Sequence, residues 1–343
     1  MGRSFGAHNG GVEEDYVNGA FMSTPLRVGI IGLGARCTIA ENCQLSSVPA
    51  ELVGGCDPNP AMRERAREIL GDHPWVESLE ELLDLGIDAA IITSPDDTHE
   101  DITCQLLEAG VGVYLEKPIA ITIEGADRVL ETAYRTRTPL YVGHNMRHMA
   151  VVRILRQVIH DGLIGEVRAI WCRHFVGNGG DYYFKDWHAD RSRTTGLLLQ
   201  KAAHDIDVMN WLSDSVPERV VGMGDLMVYG KLTDRSGQRR DSVMSDWFSY
   251  ENWPPESLTG LNPVIDVEDL SMFMMRQVSG TMISYEQCHF TPDYWRNYTV
   301  IGTRGRAENF GDGDGGVVRV WKHRSRWEPQ GDIEIPIRGD ARG

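Results

Sequence analysis

From Leu26 onward, short apolar runs recur, each closed by a glycine or a polar turn: LRVGIIG (26–32), LVGGCD (52–57), AAIIT (89–93), VGVYLE (111–116) and LYVG (140–143). Unbroken Val, Ile and Leu without polar alternation suit strands buried on both faces of a parallel sheet. Between them, PAMRERAREIL (60–70), EDITCQLLEAG (100–110) and IEGADRVLETAYR (123–135) space apolar residues three and four apart. That is the period of a helix packed along one face. Strand–helix alternation of this kind predicts a doubly wound α/β domain over 26–145.

After Asn145 the rhythm changes. Helical patterns at 149–162 and 197–212 flank a strand-like EVRAIWCRHFV (166–176) and a polar, aromatic stretch, NGGDYYFKDWHADRSRTTG (178–196). Strand patterns then dominate, and the VSG between 269–275 and 281–287 suits an antiparallel hairpin. Residues 146–343 therefore read as an α+β domain with a mostly antiparallel open sheet. The Ser-, Asp- and Pro-rich 231–262 reads as a surface insertion. Residues 1–25 are Gly-rich and aperiodic, a disordered leader excluded from the fold, with Met22 a candidate start. Two domains suit 343 residues at about 150 residues each.

Composition narrows the function. Fifty Asp and Glu against 34 Lys and Arg give a formal net charge of −16, which argues against a nucleic-acid partner. No apolar run nears the roughly 20 residues of a membrane span. Six scattered cysteines without a C-x-x-C pair suit free thiols in a reducing cytoplasm.

GLGARC (32–37) follows the first strand and is expected to open a helix. Gly32, Gly34, Ala35 and Arg36 would let a pyrophosphate approach backbone amides. Asp57 ends the second strand, where a carboxylate accepts from an adenosine ribose and repels a 2′-phosphate, so the cofactor expected is NAD. The alternative, that Asp57 is only the turn residue before Pro58, is disfavoured by the strand–glycine–helix–strand–Asp context. TSPDDTH (93–99) and LEKP (115–118) close later strands at the carboxyl edge of the sheet, where open α/β folds bind ligands.

These motifs, with HDID (204–207) on the later helix, resemble the glucose-fructose oxidoreductase / inositol dehydrogenase / MocA family of NAD(P)-dependent enzymes. The likeness runs from about Leu26 to Trp211. It implies cofactor contacts from Thr93, Ser94, Pro95, His99, Glu116, Lys117, Asn145 and the pair Trp187–His188, where many members carry Trp-Arg. It also implies Lys117 as the group that takes the carbinol proton, a role that requires burial or a nearby positive charge to lower its pKa. Many sugar dehydrogenases of the family set an Asp one helical turn before the histidine; here that position is Gln200, which cannot accept a proton. Acid–base work then falls to Lys117 and His204, with Lys201 as a further candidate, and Gln200 and Lys201 are expected to contact the substrate.

No metal is expected. His144 and His148 are four apart without the intervening acid of a metalloprotease, and His174, His188 and His204 could converge only in the fold. A Ser-His-Asp hydrolase lacks its G-x-S-x-G elbow. Lys185, His188, Arg191 and Arg193 cluster before the 197–212 helix, which suits an anionic sugar unless local carboxylates pair with them.

The resulting expectation is NAD-dependent oxidation of a secondary alcohol, at C3, of a sugar or sugar derivative. The alternative is an NAD-dependent glycoside hydrolase using transient C3 oxidation, elimination and water addition, with no net NADH. A non-catalytic NAD sensor would be expected to lack Lys117 or His204. The family likeness further implies a homodimer or homotetramer joined through the second-domain sheet, and no membrane partner.

Overall fold

The structure, a computed structural model, describes residues 24–45, 48–237 and 243–339. The expected leader lies outside them apart from its last two residues. Two sheets organise the rest. The first has six parallel strands: β1 (Leu26–Ile31), β2 (Ala50–Cys56), β3 (Trp75–Val76), β4 (Ala89–Ile92), β5 (Gly112–Leu115) and β6 (Leu140–Val142). Their order, β3-β2-β1-β4-β5-β6, is that of a dinucleotide-binding sheet, with the switch point between β1 and β4. Helices α1 (Met62–Leu70), α2 (Leu79–Asp84), α3 (His99–Glu108) and α4 (Ile123–Thr136) link the strands. Ser78 and Glu81 close a capping box at α2, and the Thr122 hydroxyl caps α4 through the Gly125 N–H.

One expected element differs. After GLGARC the chain forms a 3-10 helix, Cys37–Leu45, and no α-helix opens there. Leu33, Cys37 and Ala40 are nevertheless buried with Val28 and Ile30, so the segment still packs on the sheet.

The second sheet has eight strands: β7 (Val167–Phe175), β8 (Pro217–Asp225), β9 (Leu270–Gln277), β10 (Met282–Cys288), β11 (Trp295–Gly302), β12 (Arg306–Phe310), β13 (Val317–Trp321) and β14 (Ile333–Pro336). Their order is β14-β13-β12-β11-β7-β10-β9-β8, antiparallel except for β7 beside β10. The expected hairpin is present as β9–β10, with Met275 opposite Ile283. Two long helices, α5 (Ala150–His160) and α8 (Leu197–Ser213), cover one face. Val151, Leu155, Val208 and Leu212 meet Ile170, Ile283 and Val300 there in a single core. Between β7 and α8 lie the short helices α6 (Gly179–Tyr183) and α7 (Arg191–Thr194).

The segment 231–262 is more than a surface insertion. Leu258 and Leu261 bury themselves against Phe184 and Tyr229, and Val243 joins the apolar cluster of the first sheet. Asp246 pairs with Arg65 of α1, while Trp247 Nε1 donates to the Asp181 carbonyl of α6. The segment therefore ties the second sheet's end of the cleft to the first domain.

Candidate active site

The cleft forms where the carboxyl ends of β1, β2, β4 and β5 face the amino-terminal half of α8. At its first end lies the glycine turn. Gly32 has φ +87°, and a Cβ there would come within 2.4 Å of the Ser94 nitrogen. Only glycine allows that approach. The Thr93 hydroxyl donates to the Gly32 carbonyl at 2.6 Å, fixing one loop against the other. At Gly34 a Cβ would meet nothing within 4 Å, so the turn fronts open space. Asp57 Oδ2 accepts from the Leu33 N–H at 2.8 Å and Oδ1 from the Asn59 N–H at 2.9 Å. Each oxygen keeps a lone pair beside that open turn, a donor set that suits a ribose diol and a pyrophosphate. Gly32, Gly34, Ala35 and Asp57 thus fit a dinucleotide.

Arg36 and Glu116 meet on the first-domain side of the cleft, with Nη2 2.6 Å from Oε1. The Glu116 carboxylate also accepts from the Lys117 backbone N–H, and so braces the loop after β5. His99, expected as a cofactor contact, requires correction. Its ring is buried, with Nδ1 2.7 Å from the Pro118 carbonyl and Nε2 3.0 Å from that of Ser94. Both nitrogens are occupied in joining the two loops, so the residue positions Ser94, Pro95 and Lys117 and offers neither nitrogen to a ligand. Asn145 opens the 3-10 turn Asn145–His148 that follows β6.

Lys117 reaches from the first domain to α8, where its Nζ donates to the Gln200 carbonyl at 2.9 Å. Burial and the charge of Lys201 lower its pKa, against the pull of Asp96 and Glu116. Lys201 stands over the face of Tyr183, 4.6 Å from the ring centroid. Burial, with Arg296 and Arg36 nearby, brings its pKa down to about 7. His204, one turn further, is pushed well below the ordinary imidazole range by burial and by Lys117, Arg296 and Lys201, so it stays neutral. Its Nδ1 and Gln200 Oε1 are buried without a hydrogen-bond partner among the described residues. Helical spacing of three and four puts Gln200, Lys201 and His204 on neighbouring faces of one turn.

The amino end of α8 is held from outside the helix. Gly196 leaves it without a side-chain cap, and Glu268 supplies one, its Oε1 accepting from the Leu198 N–H at 2.6 Å. Further along, the two acids of HDID point elsewhere. Asp207 pairs with Arg147 through both oxygens. Asp205 is fully buried and accepts from Tyr298 and from Tyr285 (3.0 Å), with His174 at 3.1 Å and Arg296 at 3.3 Å. Burial opposes its charge, yet Arg296 and His174 hold it below the usual carboxylate range.

The four loop cations are already paired. Lys185 lies buried 2.8 Å from Asp181, which also accepts from Asn252. His188 Nδ1 is 2.6 Å from Asp186, and its ring stacks on Trp187 with centroids 3.6 Å apart. Arg191 pairs with Glu268, buttressing the cap of α8, and Arg193 pairs with Asp97. The expectation that Lys185, His188 and Arg191 stand free over a sugar is therefore corrected: carboxylates within the fold already use their charge.

Sequence reasoning passed over Asp96, Tyr183, His289 and Arg296. Asp96 is buried and accepts from the Thr194 hydroxyl at 3.1 Å. Tyr183 is pinned edge-on by His188 and His289. A signal existed in β10 and just beyond it: Tyr285, Gln287 and His289 alternate on the buried face, where apolar residues are the norm.

Family models match in two places. Residues 26–144 match the oxidoreductase family with an NAD-binding Rossmann fold, and residues 152–308 match the GFO/IDH/MocA C-terminal domain. The putative oxidoreductase YteT of Bacillus subtilis is 27% identical over 256 residues, 65% of this chain and 60% of its own length. Glucose-6-phosphate 3-dehydrogenase of the same organism is 31% identical over 201 residues, 57% of this chain and 56% of its own. The chain thus spans somewhat more than half the length of these curated relatives. A crystal structure of a putative NADPH-dependent oxidoreductase from Desulfitobacterium hafniense superposes with a TM-score of 0.73 at 20% identity, covering 94% of this chain and 85% of that one. Glycine turn, Asp57, Lys117 and His204 stand on two domains that both match family models, and the chain belongs to the Gfo/Idh/MocA family of NAD-binding oxidoreductases.

Proposed function

We propose that the chain oxidises a secondary alcohol of a sugar or sugar derivative with NAD, Lys117 taking the hydroxyl proton and His204 orienting the carbinol. The observation that carries this reading is Lys117, half-buried in the cleft, with its Nζ bound to a backbone carbonyl of α8 and its pKa lowered. A carbinol proton needs such an acceptor as its carbon is oxidised. Bound NAD supplies the two-electron acceptor. Asp57 and the glycine turn hold its ribose and pyrophosphate, Ser94 and Pro95 line its path, and Asn145, Trp187 and His188 close the nicotinamide end. Neutral His204 and Gln200 each offer an unpartnered atom to a sugar hydroxyl.

Oxidation at C3, and an anionic substituent on the sugar, are supported by the likeness to glucose-6-phosphate 3-dehydrogenase. The second reading, a glycoside hydrolase with transient C3 oxidation, is favoured by one observation: Lys201 adds a second amine where oxidation needs only one acceptor. Free cysteines suit a cytoplasmic setting. No described helix is long and apolar enough to cross a membrane. The outer face of the second sheet, with Trp171, Met272, Met274 and Met282 about half exposed, suits a homodimer or homotetramer contact.

The test is absorbance of NADH and of nitrophenolate with NAD, glucose, inositol, glucose 6-phosphate and nitrophenyl glucosides. NADH formed in step with sugar oxidation supports the dehydrogenase. Aglycone without net NADH supports the hydrolase. Neither signal on any of them overturns both.

A further inference from the structure

An amine that gains a proton in the cleft becomes a cation, and most carboxylates there already serve another. Glu116 is engaged by Arg36 and by the Lys117 backbone N–H, Asp97 by Arg193, and Asp205 by Arg296. Asp96, in the loop after β4, differs. It is 4% exposed, its Oδ2 accepts from the Thr194 hydroxyl at 3.1 Å, and no cation lies within 4 Å of it among the described residues. Burying a carboxylate whose direct side-chain partner is a lone hydroxyl is costly and calls for a reason. Two ties set it before Lys117. His99 bridges the Ser94 and Pro118 carbonyls, fastening the loop of Asp96 to the loop of Lys117. Thr194 holds it from α7, just ahead of α8, whose Gln200 carbonyl accepts from Lys117 Nζ.

We propose that Asp96 is a positioning residue for the proton transfer, the counter-charge that the Lys117 ammonium faces once Lys117 has taken the carbinol proton. The role rests on the redox reading of this cleft and deepens it. In that step the O–H bond breaks and its proton passes to the Nζ lone pair. The O–H bonding pair becomes the second carbon–oxygen bond as the carbon gives its hydride to bound NAD. One positive charge is thereby lost at the nicotinamide and one appears on the amine. A carboxylate already fixed in place stabilises that arriving charge without reorganising. Because Asp96 stands more than 4 Å from Nζ, its pull does not outweigh burial, and the amine can be free before the reaction.

The charges around Lys117 agree with this arrangement. After burial, Asp96 acts on the amine most strongly, ahead of Lys201, Glu116 and Tyr183. Asp96 and Glu116 favour the ammonium and Lys201 opposes it. His204 and His144 also face Lys117; burial holds both below the ordinary imidazole range and raises Tyr183 to about 12. These three stay uncharged in neutral and mildly alkaline solution. Lys201, brought down to about 7, is the neighbour that titrates beside Lys117.

The experiment titrates the amine itself. The chain has five lysines, so 13Cε-lysine NMR reads each one, and Lys117→Met assigns the Lys117 signal by its loss. Full-length chain saturated with NAD is compared as wild type, Asp96→Asn and Thr194→Val, each also in a Lys201→Met background that removes the second amine. Asp96→Asn keeps the shape and an acceptor for Thr194 while removing the charge. It should lower the Lys117 midpoint by about one pH unit, the scale of a buried charge somewhat beyond contact. Thr194→Val keeps the charge and should move the midpoint far less. A midpoint unchanged or raised in Asp96→Asn overturns the proposal, and so does an equal shift in Thr194→Val, which would make the effect one of packing. With a sugar that the wild type oxidises, the acid limb of kcat should move down with the midpoint; a limb that stays while the plateau falls leaves Asp96 a structural residue. Failure of every sugar to give NADH or aglycone sinks the redox reading, whereas the NMR midpoint decides by itself whether Asp96 is the counter-charge.

Discussion

Lys117 and Gln200 join the two domains across the cleft, the amine of one donating to the backbone carbonyl of the other at 2.9 Å. A backbone partner has a consequence. The Gln200 carbonyl fixes Lys117 without adding a full negative charge, so burial and Lys201 can lower its pKa. A carboxylate in the same place would have kept the amine protonated.

Lys117→Met should therefore lower kcat by about 10²–10⁴-fold while NAD affinity holds, because proton removal belongs to the transition state. Steady-state kinetics with calorimetry of NAD binding measures both. A variant keeping more than about a tenth of kcat would remove Lys117 from the reaction.

Asp57→Ala should weaken NAD binding and narrow the preference for NAD over NADP. It removes a ribose acceptor and a charge that repels a 2′-phosphate. It also frees the Leu33 N–H, so the glycine turn loses one of its ties. Titration of both cofactors is the measurement, and equal affinities before and after substitution would reduce Asp57 to a turn residue.

Much of this was legible in the chain. Parallel strands such as Ala89–Ile92 show as unbroken apolar runs because both faces are covered. Lys117 and His204 stood out by motif. β12 did not, since its inward residues are Ala307 and Asn309, and Asn309 serves the Tyr298 N–H and the Arg296 carbonyl. Pairing of the loop cations was equally hidden. Asp181 and Asp186 are near in sequence, but Glu268 and Asp97 come from distant elements that only the fold brings alongside Arg191 and Arg193. The 231–262 segment looked polar because its apolar residues are interspersed among Ser, Asp and Pro without a helix or strand period, yet Val243, Trp247, Leu258 and Leu261 are buried.

Asp205 and Arg296 form a buried pair whose loss should be felt as stability. Asp205→Asn leaves the buried Arg296 guanidinium with only the Asp312 carboxylate, 3.8 Å away, and breaking a buried pair from one side costs up to about 3–5 kcal/mol. Because the native carboxyl is held below its ordinary range, this contribution is present at neutral pH and is lost only as pH falls through that depressed value. Urea unfolding at pH 7 should show the loss. Equal midpoints for variant and wild type would mean that the Tyr285 and Tyr298 hydroxyls alone hold the network.

The outer face of the second sheet supplies the last prediction. Along β7, β9 and β10 the inward residues are buried in the α5–α8 core, while Trp171, Met272, Met274 and Met282 on the opposite side are 47–57% exposed. Strand alternation places all four on one surface, since β10 lies between β7 and β9 with Met272 opposite Glu286 and Met274 opposite Ser284. Water against so much contiguous apolar area is unfavourable by about 25 cal/mol per Å², which favours covering it. Arg173, Glu286, Arg306 and Glu308 border the patch with both signs of charge, a rim suited to a self-complementary contact. Light scattering at micromolar concentration should then give a dimer or tetramer mass, and Met274→Asp should shift it toward the monomer without lowering NAD affinity, because the glycine turn and Asp57 lie in the other domain. A monomer mass for the wild-type chain would leave this face as exposed sheet.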